Sequence, residues 1–315
     1  MEGTISSVLK PTSLQAMSPR QTRRTLVRLV LAFLGLILII ISARTLRNDW
    51  WNAAVLGLVQ GLTEFLPISS TGHLLIVSDL LRFQSSIGGT FEIFIQLGTV
   101  LAVAGYYARD LLGQARALPS DAATRRFWLG IVVAFVPAAI FGLLLRDWIK
   151  QVLFESPMVI ASSLIIGGIV FLLVERLPQQ IVSTREVTRI TLRQALGVGV
   201  SQVLALIPGV SRSGASIVGG MLSGLDRKTA TAFSFYLAIP TLGAATVVDL
   251  LASLGDLTAA DIGRLAIGAI VAMVIGWFSI AWLLRYVANH SFVVFGYYRI
   301  IVGVVILALV AAGGL

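Results

Sequence analysis

Cysteine is absent from the 315-residue chain, and histidine occurs only twice, at His73 and His290. The first absence excludes disulfides, thiolate metal sites and cysteine nucleophiles. The second excludes a histidine-rich metal centre. Charge is scarce as well. Asp, Glu, Lys and Arg make up 12% of the residues, about half of the roughly 25% usual in soluble proteins. Hydrophobic residues make up 57%, more apolar surface than a soluble fold buries. Several apolar runs reach the roughly 20 residues that cross a bilayer. The composition therefore specifies a multi-pass membrane protein with membrane lipids as its surroundings. The net charge of +9 raises the question of nucleic acid. The basic residues sit in short loops between apolar segments, as membrane topology places them. No basic stretch is interleaved with aromatics, and no nucleic-acid partner is expected.

Residues 1–25 are polar and form an N-terminal tail. Residues 26–49 carry an apolar run with basic flanks. It is long for a signal peptide and lacks a small-x-small cleavage site, so it reads as an extra membrane anchor. From residue 50 the pattern doubles. An apolar segment over 50–82 is broken by Pro67 and by Ser69-Ser70-Thr71-Gly72-His73, and spans follow near 90–108, 127–145 and 157–174. A cytoplasmic basic loop, 176–191, leads to a second broken segment, 194–225, interrupted at Pro208-Gly209-Val210-Ser211-Arg212-Ser213-Gly214. Further spans follow near 229–250, 264–284 and 297–313. At an offset of 142 residues Gln60 falls on Gln202, Ser69 on Ser211, Gly72 on Gly214 and Phe91 on Phe233.

Three spans per copy is an odd number, so the second copy inserts upside down. The expected fold is all-α and polytopic, with two inverted-topology repeats over 50–175 and 192–315. Each repeat is a re-entrant helix pair plus three transmembrane helices, and the extra N-terminal helix precedes them. Broken helices that meet near the midplane are a known way to build a membrane site. With the N-terminus inside, most of the 24 Lys and Arg residues fall on the inner face, Arg299 among them. Arg212 alone lies at depth, in keeping with the positive-inside bias.

Ionisable groups within a membrane are costly and point to function. Four stand out here: Glu64, His73, Glu92 and Arg212. Gln60 and Glu64, four residues apart, share a helix face. Glu64 can move a proton or bind a hard divalent cation, or it simply neutralises Arg212. The run Ser69, Ser70, Thr71, Gly72 and His73 offers hydroxyls, backbone amides and an imidazole. It suits an anion, with His73 activating Ser70 or a water, or it only satisfies its own backbone. Ser211, Arg212, Ser213 and Gly214 place a guanidinium among hydroxyls, which suits a phosphate. Glu92 is divided between a supporting role and a local hydrogen bond. His290 is assigned none. Paired glycines such as Gly167-Gly168 read as helix packing. The residues describe a midplane site for a phosphorylated, membrane-embedded molecule and leave open whether it is cleaved or carried.

Gln60-Gly-Leu-Thr-Glu64-Phe-Leu-Pro-Ile-Ser-Ser-Thr-Gly-His73 closely resembles the first signature of the undecaprenyl-diphosphate phosphatase family, also called bacitracin-resistance proteins. Pro208-Gly-Val-Ser-Arg-Ser-Gly-Ala-Ser216 resembles its second. The resemblance covers about 50–315. It implies six spans plus two re-entrant pairs in inverted repeat, in the bacterial inner membrane. It also implies hydrolysis of undecaprenyl diphosphate to the monophosphate carrier used for cell-wall polymers, dependent on a divalent cation such as Mg2+ or Ca2+. Carried over by motif position, Glu64 and Gln60 take acid/base or metal roles, and His73 is an acid/base group. Ser70 is the candidate nucleophile and Arg212 the pyrophosphate clamp. Gln60 stands where many members have glutamate, and Ser216 where threonine is usual. A homodimer is compatible with the resemblance. The rival reading is a polyprenyl-phosphate transporter or flippase that uses the same residues. Three functional groups around one phosphate favour the enzyme.

Overall fold

The structure is a computed structural model and describes residues 49–83, 90–149, 156–177, 182–253 and 259–313. The 1–25 tail and nearly all of the 26–49 anchor lie outside these residues, as does the Glu92 side chain. Among the described residues eleven helices have ten residues or more. They are α1 (Asp49–Thr63), α2 (Ser70–Leu81), α3 (Thr90–Tyr106), α4 (Ala108–Ala117), α5 (Ala122–Leu144), α6 (Pro157–Val174), α7 (Leu192–Val203), α8 (Arg212–Leu222), α9 (Arg227–Ser253), α10 (Ala259–Val287) and α11 (Val293–Ala311). Five of them, α5, α6, α9, α10 and α11, are long and apolar enough to cross a bilayer. The protein is an all-α, multi-pass membrane protein.

Local chemistry sets the helix ends. Asp121 opens α5 by accepting from the amides of Ala123 and Thr124. The Thr124 hydroxyl, followed by those amides, holds the Asp121 carboxyl below its usual range. It stays charged at a positive helix N-terminus. Ser156 caps α6, with Pro157 at the first helical position, where its missing N–H has no cost. Thr191 and Gln194 form a reciprocal capping box on α7.

Helix packing follows residue size. α1 lies against α10, α7 against α5, α3 against both α9 and α10, and α6 against α11. At the α1–α10 crossing a Cβ on Gly57 would stand 2.3 Å from the Gly268 carbonyl oxygen, so only glycine permits that approach. The aromatic core joins both halves of the chain, as in the edge-to-face pair Phe65–Phe235 at 5.2 Å. Large apolar side chains such as Leu144 (75% exposed) and Phe278 (65%) cover the outside, where hydrocarbon solvates them.

One buried pair was not anticipated. Glu175, at the end of α6, accepts from the Arg227 guanidinium and from the Phe292 amide at 2.8 Å. Its carboxylate thus joins the start of α9 and caps α11 in one contact.

Candidate functional site

Two turns that each end on a serine at positive φ build the site. After α1 the chain turns through residues 64–69, and Ser69 then caps α2 at φ 72°. After α7 a short 3-10 turn leads through Gly209, at φ 91°, to Ser211, which caps α8 at φ 75°. Each serine hydroxyl accepts from the amide three residues on, Gly72 at 3.4 Å and Gly214 at 3.1 Å. A positive φ is strained for any residue with a Cβ. The strain falls on Ser69 and Ser211, two serines in like positions before a helix.

Glu64 is the hub. It is 5% exposed. One carboxylate oxygen accepts from Ser70 Oγ at 2.6 Å and from Gln60 Nε2 at 3.0 Å. The other accepts from Arg212 Nη2 at 3.2 Å. Arg212 Nη1 also donates to the Ser234 carbonyl (2.9 Å) and hydroxyl (3.2 Å). Arg212 Nε, by contrast, is buried with no hydrogen-bond partner among the described residues, and so is Gln60 Oε1. One unspent donor and one unspent acceptor therefore flank the Glu64–Arg212 pair. Ser216 Oγ sits 2.7 Å from Ser234 Oγ and steadies the far side. Ser213 Oγ contacts Ser211 Oγ at 3.0 Å and donates to the Leu66 carbonyl at 3.0 Å, which ties the second turn to the first.

Arg299 requires a correction. It was expected on the inner face, yet it is fully buried, at 0% exposure. Its guanidinium donates to the carbonyls of Pro67 in the first turn and of Gly209 and Val210 in the second, all within 3.1 Å. It also donates to the Ser163 carbonyl at 3.2 Å. A turn inside a bilayer leaves carbonyls without helix partners, and a five-donor fork meets several of them at once. Gly167 was read as ordinary helix packing. A Cβ there would stand 2.1 Å from Arg299 Nη2, so this glycine makes the space for the guanidinium. Gly167→Ala is expected to destabilise the protein by about 1–3 kcal/mol, measured as lowered thermal stability in detergent.

The structure brings Gln60, Glu64, Ser70 and Arg212 into one hydrogen-bonded group. Ser69 and Ser211 end the turns around it, and Gly72, Ser213 and Gly214 lie on the first helical turns that follow. Thr71 is half-buried on the first turn of α2. His73 does not contact Ser70 through a hydrogen bond: its Nδ1 meets the Ser69 carbonyl at 2.7 Å and its Nε2 the Tyr298 hydroxyl at 2.8 Å. Ser70 gives its hydrogen to Glu64 instead. His290 bonds the Tyr286 carbonyl at 3.0 Å, away from the turns. Sequence reasoning missed Ser234, Tyr298 and Arg299. Arg299 carried a signal, as a charge inside an apolar run. Among the described residues no three His, Cys, Asp or Glu side chains cluster as a metal site.

A family model described as "Bacitracin resistance protein BacA" matches residues 53–305. The chain belongs to the BacA family. The match includes both turns and every side chain of the hydrogen-bonded group. BacA-type relatives are similar over most of their length. An undecaprenyl-diphosphatase of Albidiferax ferrireducens is 49% identical over 265 residues, covering 83% of this chain and 95% of the relative. One of Deinococcus radiodurans is 46% identical over 268 residues, covering 84% and 97%. One of Methylobacillus flagellatus is 50% identical over 261 residues, covering 82% and 96%. The N-terminal residues 1–52 fall outside the BacA match.

Proposed function

We propose that this protein hydrolyses undecaprenyl diphosphate to undecaprenyl phosphate and phosphate in the bacterial inner membrane. It thereby recycles the lipid carrier for cell-wall synthesis and confers bacitracin resistance. The observation that carries this reading is the buried Ser70–Glu64–Arg212 chain with Arg212 Nε unspent. It combines a hydroxyl, a carboxylate that receives its hydrogen, and a cation with a free donor. A site that only carries a phosphate needs the cation alone.

In the proposed mechanism Arg212 holds the pyrophosphate and stabilises charge that builds on the transferring phosphoryl group. Glu64 takes a proton from the nucleophile. If Ser70 attacks, its Oγ bonds to the terminal phosphorus, the bridging P–O bond breaks, and the lipid monophosphate leaves with that oxygen. Water then releases phosphate from the serine. If water attacks directly, Glu64 takes the proton of that water and Ser70 orients it. Both routes use the same three side chains.

The donors fit a hard divalent cation such as Mg2+ or Ca2+. Glu64 and the unpartnered Gln60 Oε1 would hold it, with substrate oxygens completing its shell. Such a cation neutralises charge on the pyrophosphate when bound. Chelation is expected to abolish phosphate release, and added Mg2+ or Ca2+ to restore it. Gln60→Ala should raise the cation concentration needed for half-maximal rate, and Gln60→Glu should lower it.

We also propose that α1–α3, α5 and α6 form one repeat (50–175) and that α7–α11 form its inverted copy (192–315), joined by the 176–191 loop, with α1–α2 and α7–α8 as re-entrant pairs. Exchanging the halves maps the main helix contacts onto one another, since α1 on α10 becomes α7 on α5 and α3 on α10 becomes α9 on α5. The paired positive-φ serines support the same symmetry. This architecture is also that of many carriers. The deciding experiment is phosphate release by purified protein from a polyprenyl pyrophosphate in detergent with Mg2+. Release supports the phosphatase. Tight lipid binding without release, together with lipid movement in vesicles, would replace it with the transporter.

A further inference from the structure

We infer that His73 is a positioning residue, locked by Tyr298, and not the acid/base group of the reaction. The inference rests on the phosphatase reading and deepens it. The Ser69 carbonyl can only accept, so His73 Nδ1, 2.7 Å away, carries a hydrogen. In the neutral ring Nε2 is then the acceptor, and the Tyr298 hydroxyl, 2.8 Å away, donates to it. The two rings lie parallel within 5°, with their centroids 5.7 Å apart. Both nitrogens of a ring that is 3% exposed are thereby committed, and neither is hydrogen-bonded to Ser70.

The bond to Ser69 has a local reason. Ser69 holds the strained φ of the first turn, and its carbonyl receives only a long 3.3 Å bond from the His73 amide. The equivalent carbonyl of Ser211 receives a normal 2.9 Å bond from Ala215, and alanine stands where the repeat would place a second histidine. The second turn is instead held by Arg299, on the carbonyls of Gly209 and Val210. The imidazole supplies the missing strong donor to Ser69 and so fixes the residue that precedes Ser70. Tyr298 and Arg299 are neighbours on α11, so one helix turn secures both breaks.

The test compares His73→Asn, His73→Ala and Tyr298→Phe in the detergent assay. It adds nitrogen-15 spectra of the His73 ring in wild type and Tyr298→Phe. Asparagine places an amide N–H near the position of Nδ1–H but cannot transfer a proton at working pH. A positioning role predicts that His73→Asn stays much closer to wild type than His73→Ala does. It predicts that Tyr298→Phe lowers kcat with KM little changed. In the spectra, wild type should show hydrogen on Nδ1 and a bare Nε2, with the Nε2 signal moved by Tyr298→Phe. Equal losses of about 10²–10⁴-fold in both His73 variants, or a ring with hydrogen on Nε2 and a bare Nδ1, would overturn the inference. Should wild type release no phosphate, the phosphatase reading fails, and the spectra still decide how His73 is held.

Discussion

Arg212→Ala is expected to lower phosphate release by about 10²–10³-fold in kcat. The guanidinium reaches the site at depth, and its Nε is already desolvated, with no partner to lose among the described residues. A phosphoryl group in transfer spreads charge over its oxygens, and a preformed donor stabilises that charge more than it stabilises bound substrate. Arg212→Lys should recover little. A lysine can meet either Glu64 or Ser234 while reaching the phosphate, whereas the fork does all three. A loss below about tenfold would be too small for a clamp that acts on the transition state.

Glu64→Gln should cost about 10²–10⁴-fold, because an amide cannot take the proton from Ser70 or from water. The variant also leaves the Arg212 charge buried without its partner, which by itself destabilises by about 3–5 kcal/mol. Stability and activity must therefore be separated. Glu64→Gln combined with Arg212→Met removes both charges. The pair should unfold at a higher temperature than Glu64→Gln alone, yet show no more phosphate release. Because Arg212→Met itself removes the phosphate clamp, the double variant reports on stability only. A rate loss that Glu64→Gln keeps at a temperature where it stays folded lies in the chemistry, whereas a rate near wild type there would mean that Glu64 serves only to neutralise Arg212.

The same logic applies to Arg299. Its hydrogen-bond partners among the described residues are backbone carbonyls, and no carboxylate lies within ion-pair distance of it there. With Glu64 and Arg212 neutralising each other, Arg299 leaves a positive excess beside the turns. That excess favours a polyanionic headgroup, at the cost of a buried cation that Gly167 must accommodate.

Sequence alone determined the membrane class, through apolar runs and scarce charge, because the bilayer leaves no other solution for such a composition. It also singled out both turns, since hydroxyls, proline and glycine interrupt apolar helices there and nowhere else so densely. It named Gln60, Glu64 and Arg212 because an ionisable or amide group at depth needs a reason, and Ser70 because it stands in the hydroxyl run that ends on His73. Tertiary structure decided what those groups touch. That Ser70 gives its hydrogen to Glu64 and not to His73 depends on the turn over 64–69, whose strained serine no local pattern announces. That Arg299 is a buried strut and not an inner-face charge depends on α6 and α11 packing closely enough to enclose it. Tyr298 and Ser234 look like ordinary residues of apolar helices until the fold brings them to His73 and Arg212. Position along the chain is a local property read from residue type, whereas hydrogen-bond partners more than a hundred residues apart are set only when helices pack.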